Sequence, residues 1–381
     1  MDEAKADLAR IARLAKRGSD SAAIAELAAI SKLASTTSVR KAAKTALEAR
    51  APAVAAKLAS VFKGAVPDRD DSLTQKLREL EAVKFPAVPV FAEVLARRGA
   101  VALSYVCAVG GALCKRVLAD QIENAKLDLR FVKPLPDELS ELPIRSLDLT
   151  RCGLVELPAS VLAMPRLEEL DLSYNRIRRF GPEVRRMKAL RKLFFMDLPL
   201  VDLEHLDEIP RLRELEMYRT RIKTVPEAFA ASKLEALRIV QCHRITQTPP
   251  AILKMRSLRV LELAQCRQLT EIDPGVYELS NLEYLDLSGA KLGDIPPAIG
   301  KLENLRELQL RSAGVTSLPA ELARCKKLHT IDLVLNPGLT PDGLGGLERL
   351  PALRRLRIKD TGLAAHWTSI KRKLPRVQLF D

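Results

Sequence analysis

The side chains best suited to act as a nucleophile, soft metal ligand or proton carrier are 6 cysteines and 4 histidines. Cys107 and Cys114 lie in an apolar run with no histidine beside them in sequence. The thiolate is the attacking species, and apolar burial raises a thiol's pKa. The pair therefore argues against a cysteine nucleophile. His243 follows Cys242, and Cys266 comes further along. Three such ligands fall short of the four that a structural zinc site requires, and no short paired cysteine spacing occurs. Gly110-Gly111 is predicted to sit inside an apolar helix, with no Lys-Ser or Lys-Thr after it, which excludes a phosphate loop. No catalytic residue, metal site or cofactor is expected.

Composition sets the next bounds. The chain has 381 residues, 47% hydrophobic but only 4% aromatic, so its core must be aliphatic. The net charge is +14, which permits contact with nucleic acid or an anionic membrane. The N-terminus, Met-Asp-Glu-Ala-Lys, lacks the basic-then-apolar order of a signal peptide. The longest apolar stretch, from Val101 to Cys114, is too short to span a bilayer. A cytoplasmic protein with free thiols is expected, although a Cys242–Cys266 disulfide is geometrically conceivable.

The elements that must position any site are set by a leucine ladder. Its inward positions are Leu147, Leu170, Leu193, Leu215, Leu237, Leu261, Leu285, Leu308, Ile331 and Leu356, spaced 22 to 25 residues apart. A shorter unit precedes them at Leu127 and Leu129. Each unit follows L-x-x-L-x-L-x-x-(N/C/T)-x-L, a period that few other architectures give. Leu-Pro or its equivalent follows the loop at Leu135-Pro136, Leu157-Pro158, Val225-Pro226, Ile295-Pro296 and Leu318-Pro319.

Unit by unit, this stretch resembles the leucine-rich repeat family, and the Leu-Pro pairs resemble its intracellular Ras-group members. The resemblance implies an α/β fold: a leucine-rich repeat solenoid, or horseshoe, with a parallel concave sheet, preceded by an N-terminal α-helical region. It also implies a binding scaffold, with a small GTPase or its regulator among the possible partners. At the position five after the inward leucine the family favours Asn, whose amide bonds neighbouring turns. Asn175 and Asn336 keep it, Cys152, Cys242 and Cys266 offer a thiol, and Thr220 and Thr361 offer a hydroxyl. Leu198, Ala290 and Ala313 offer nothing polar, so looser or water-bridged turns are expected there.

Three regions follow from this pattern. Residues 1–66 are Ala-rich and helical in pattern, and Ala23–Arg50 resembles a HEAT-type helical pair, with a turn at Ser35-Thr36-Thr37. The polar stretch Pro67–Ser72 reads as a linker. Residues 72–124 are expected to supply helices that cover the open end of the ladder, near 73–83, 90–97 and 101–119; Leu103, Val106, Leu113 and Val117 would make the contact. Residues 125–381 hold the repeats and a C-terminal cap with Trp367, Ile370, Leu374 and a last strand at 377–380.

Strand side chains alternate, so inward leucines leave three columns on the opposite, concave face. The middle column is Asp128, Asp148, Asp171, Phe194, Glu216, Arg238, Glu262, Asp286, Gln309, Asp332 and Arg357, largely acidic on a basic chain. Tyr174, Phe194, Met196, Tyr218 and Val240 cluster in consecutive units. Exposed Phe and Met on a sheet face have no evident packing role, and aromatics amid charge mark binding hot spots. The expected partner site is Tyr174, Phe194, Met196, Glu216, Tyr218, Arg238 and Val240. The expected function is a non-enzymatic scaffold or adaptor that binds a protein or peptide, one with a basic surface if the acidic column selects it. The alternatives are adhesion of a basic surface to nucleic acid or anionic membrane, and an effector with ligase-type activity.

Overall fold

Gly110 and Gly111 direct the chain into the repeats. Both take positive φ (73° and 66°), a backbone region closed to most side chains. The apolar stretch expected to be one helix over 101–119 is therefore two, Ala100–Val109 and Gly111–Asp120, with Gly110 at the break and Gly111 opening the second helix. The computed structural model describes residues 2–16, 21–34, 36–61, 73–82, 88, 92, 96, 100–344 and 346–380. The expected linker at 67–72 and most of the expected helix at 90–97 lie outside the described residues.

The chain divides into two compact units: residues 1–153 with 158–164, and residues 154–157 with 165–381. The first unit is mainly helical. Asp2–Lys16, Ser21–Leu33, Thr37–Arg50 and Pro52–Val61 form successive helices, with Leu27, Ala28, Val39, Ala43, Leu47 and Leu58 buried. Thr36 caps the third by accepting the Val39 N–H, so a helix starts at Thr37, where the turn was expected to end. The helix Leu73–Ala82 buries Leu73, Leu77 and Leu80. Farther on, Leu103, Val106, Leu113 and Val117 are all buried. Glu138 accepts the Gly111 N–H, and Lys115 meets Glu141 at 2.6 Å, which joins these helices to the 3-10 turn Asp137–Glu141. Strands β1 (Lys126–Asp128) and β2 (Ser146–Asp148) pair in parallel with Leu127 opposite Leu147.

The second unit is a solenoid of parallel strands in chain order: β3 (Glu169–Asp171), β4 (Lys192–Met196), β5 (Glu214–Tyr218), β6 (Ala236–Val240), β7 (Val260–Glu262), β8 (Tyr284–Asp286), β9 (Glu307–Gln309), β10 (Thr330–Asp332), β11 (Arg355–Arg357) and β12 (Gln378–Phe380). The inward leucines are directly opposed from strand to strand, as at Leu193, Leu215, Leu237 and Leu261. A period-2 strand that buries one face permits no slip by one residue, because a slip would expose every leucine. Opposite the sheet the chain returns through 3-10 turns. The Leu-Pro motif starts several of them: Pro226, Pro296 and Pro319 are extended residues preceding Glu227–Ala231, Pro297–Lys301 and Ala320–Arg324. Proline's fixed φ suits that corner and its missing N–H costs nothing there.

The strands end through left-handed residues four places after the inward leucine. Tyr174, Asp197, Arg219, Gln241, Gln265, Ser312 and Leu335 all have φ between 52° and 61°, and only Gly289 in this series is glycine. The strain is held by backbone bonds to the next repeat, such as Arg219 N–H to Val240 O (3.0 Å) and Gln241 N–H to Ala264 O (2.9 Å). The asparagine ladder acts across repeats too. The Asn336 amide oxygen accepts from Ala313 N (3.1 Å) and Val315 N (3.0 Å), and its Nδ2 donates to Leu310 O and Leu333 O. The turn at Ala313, expected to be loose for want of its own polar group, is thus held by the following repeat.

Candidate binding face

The expected site residues fall mainly on β4, β5 and β6, each five residues long where the other strands of the second unit have three. The register sets Phe194, Glu216 and Arg238 in one row and Met196, Tyr218 and Val240 in the next. The rings of Phe194 and Tyr218 are 5.5 Å apart and tilted by 51°, within the range of favourable aromatic pairs. Both are half-buried. Tyr174, 36% exposed, sits at the left-handed strand end and its hydroxyl lies 3.1 Å from Met196 Sδ. Phe194 and Met196 therefore do have packing partners, contrary to the sequence expectation, because the strand spacing brings side chains of neighbouring repeats into contact. Val240 is a correction: at 8% exposure, packed in register with Tyr218, it offers little surface.

Arg219, which the strand pattern places at the flank of the face, and Asp197, which it did not single out, complete the cluster. Arg219 donates to Tyr174 Oη (3.1 Å) and to Asp197 Oδ1 (2.9 Å). Both flank the strand face at the left-handed position, where sequence alternation no longer says which way a side chain points.

Charge alternates across the same strands. Lys192 lies 3.0 Å from Glu214 and 3.5 Å from Glu216; Arg238 lies 2.8 Å from Glu216 and 3.4 Å from Glu262. Burial opposes the charge on Lys192, but its two glutamates outweigh that and raise its pKa. Burial pushes the Glu262 carboxyl up to about 7, and neighbouring Asp286 adds to the effect while Arg238 opposes it. Burial and the Glu262 charge also raise the Tyr218 pKa.

The acidic middle column has a local cause. Asp128, Asp148, Asp171, Asp286 and Asp332 each accept the backbone N–H two residues on, at 2.8–3.0 Å. Each carboxylate closes the bend at the end of a short strand. Glu216 and Glu262 are the acidic members engaged instead with Arg238.

All six cysteines are buried free thiols. Burial drives Cys152 and Cys266 up to about 12 and Cys325 to about 11. Cys114 is raised by a hydrogen bond with Cys107, then by burial. His243 is exposed while Cys242 and Cys266 are buried, so the three do not form a ligand set. Among the described residues no group of three or more His, Cys, Asp or Glu is placed to hold a metal ion. No described helix is long and apolar enough to cross a membrane.

The family described as "Leucine-rich repeat region" matches residues 237–371, and a single "Leucine Rich Repeat" unit matches residues 166–185. The chain is a leucine-rich repeat protein. Its described repeats resemble those of Toll in the Drosophila Toll–Spätzle complex (TM-score 0.52, 18% identity), over 65% of this chain and 34% of that one. Two further likenesses have lower TM-scores. A leucine-rich repeat protein of Leptospira interrogans matches at 0.30 and 20% identity over 71% of this chain and 92% of its own. The ectodomain of the Arabidopsis thaliana receptor kinase GASSHO1/SCHENGEN3, in complex with CASPARIAN STRIP INTEGRITY FACTOR 2, matches at 0.42 and 17% over 68% and 40%. At these identities the likeness is one of fold. This leucine-rich repeat protein spans about a third of Toll's length. Comparison with curated proteins finds no match.

Proposed function

We propose that this leucine-rich repeat protein is a non-enzymatic interaction module that holds a protein or peptide against the strand face of β4–β7. The observation that carries the reading is the half-exposed Phe194–Tyr218 ring pair, bordered by Arg238 between Glu216 and Glu262. Aromatic anchors ringed by hydrogen-bonded charge concentrate binding energy. The Toll structure is itself a complex with a protein ligand, which supports the class of partner. Cysteine chemistry of the ligase type at Cys107 or Cys114 is disfavoured because both thiols are buried and Cys114 is held above its ordinary pKa by its hydrogen bond with Cys107 and by burial. We read the helical segment 72–124 as the cover for the open end of the ladder, and the repeats from 125 onward as the binding domain. The neighbours give no support to a small GTPase as the partner, so the reading stays with a protein or peptide ligand. Affinity capture from native lysate, comparing the unaltered chain with Phe194→Asp/Tyr218→Ala, tests it: the altered protein should fold and lose the partner.

A further inference from the structure

Along one edge of the second unit, the residues two places before each inward leucine stack repeat upon repeat. Arg213 N donates to Arg191 O, Glu235 N to Arg213 O, Arg259 N to Glu235 O, Glu283 N to Arg259 O and Arg306 N to Glu283 O, all at 2.7–2.8 Å. Toward β9 this edge shows what its arginines take between them. The Glu283 carboxylate is held by Arg259 at 2.7 Å and Arg306 at 3.2 Å, one oxygen to each.

Toward β4 the order differs. Arg191 and Arg213 are neighbours with no carboxylate interposed, and Arg211 adds a third guanidinium. Together with Glu214 and Glu235 they line an open pocket of about 330 Å³. Its two carboxylates have partners: Glu235 is 3.4 Å from Arg213, and Glu214 is 3.0 Å from Lys192. Those ion pairs run to Lys192 and Arg213 rather than to Arg191 or Arg211.

We propose that this arginine pocket binds a phosphoryl group carried on a side chain of the protein partner. The source of that group rests on the docking reading above; the pocket itself does not. A guanidinium presents five N–H donors in a planar fork, and a phosphorylated side chain brings three acceptor oxygens and nearly two negative charges. Two arginines suffice for the carboxylate of Glu283; three suit an anion with more oxygens and more charge. The pocket also borders the proposed face. Arg191 immediately precedes β4, and Lys192 links the pocket's Glu214 to Glu216 on the strand face. Three strand residues span about 10 Å, so a segment crossing Phe194 passes within a few residues of the pocket.

The test is calorimetric titration of the full chain with inorganic phosphate and with N-acetyl-O-phosphoserine amide, against N-acetylaspartate amide, with Arg191→Ala/Arg211→Ala and Phe194→Asp as variants. The two phosphate probes should bind saturably and compete with each other. The arginine variant, melting as the unaltered protein does, should weaken them at least tenfold, and Phe194→Asp should leave them unchanged. Absence of saturable phosphate binding, binding that survives the arginine variant, or equal binding of the aspartate probe overturns the site. Tighter binding to phosphatidylcholine vesicles containing phosphatidic acid than to the phosphoserine probe overturns the protein-borne source. Partner capture separates the two readings. If Phe194→Asp captures normally while phosphate still needs the arginines, the docking face fails and takes the partner-borne source with it. If phosphate does not bind while Phe194→Asp loses the partner, the pocket alone fails.

Discussion

Glu262 and Asp286 stand directly opposite one another in the β7–β8 register, two carboxylates side by side with a cation, Arg238, on the Glu262 flank. Burial first, and then the Asp286 charge, lifts Glu262 to about 7 from an ordinary 4.5. The folded state therefore holds a proton that the unfolded chain has released, and the stability Glu262 contributes is present below about pH 4.5 and is lost as pH rises to about 7. Denaturant melts across that window should show Glu262→Gln losing less stability than the unaltered protein, by at most about 3 kcal/mol. Parallel pH dependence in the two proteins would show that Glu262 titrates normally.

Asn336 is fully buried and ties its own turn to those of the preceding repeat at Ala313 and Val315. Asn336→Ala leaves these N–H groups and the Leu310 and Leu333 carbonyls without the side-chain partner, so it should cost about 2 kcal/mol or more. Chemical denaturation measures it. A loss below about 0.5 kcal/mol would mean that water or backbone shifts replace the amide.

The left-handed strand ends give a pair of opposite effects. Gln241 adopts φ 55° without being glycine, so Gln241→Gly should stabilise the fold by up to about 1 kcal/mol, less the added freedom of the unfolded chain. Gly289 has φ 74°, and a Cβ there would come within 2.7–2.8 Å of the Gln265 side chain. Gly289→Ala should destabilise by about 1–2 kcal/mol. Thermal melts of the two variants should move in opposite directions.

Inward Leu193 separates folding from binding. It is 2% exposed and opposed to Leu170 and Leu215 in the neighbouring strands. Leu193→Ala should cost about 2–5 kcal/mol of stability, measured by denaturant titration. Phe194→Ala, one residue along on the opposite face, should cost clearly less.

The repeat architecture was legible because inward leucines must recur in register; ten positions from Leu147 to Leu356 suffice to show it. The rows of the face followed from alternation, so Phe194, Glu216 and Arg238 were found together. What alternation missed lies where strands stop. Asp148 and Asp286 read as partner-selecting charge, yet each closes its own bend by accepting an N–H two residues on. Arg219 and Gln241 carry no sequence sign of a left-handed backbone, because bonds to the next repeat impose it. Val240 read as exposed because alternation gives a side chain's direction but not its neighbours. The helix break at Gly110-Gly111 was hidden by continuous apolar sequence on both sides, although two adjacent glycines with positive φ end a helix whatever surrounds them.

The most direct measurement is partner capture by Phe194→Asp/Tyr218→Ala, with cooperative melting checked on the same preparation. Truncation at the centre of an interface typically costs about 2 kcal/mol or more of binding. The account predicts a folded protein that no longer retains the partner held by the unaltered chain. A folded double variant that captures the same partner equally well would contradict it.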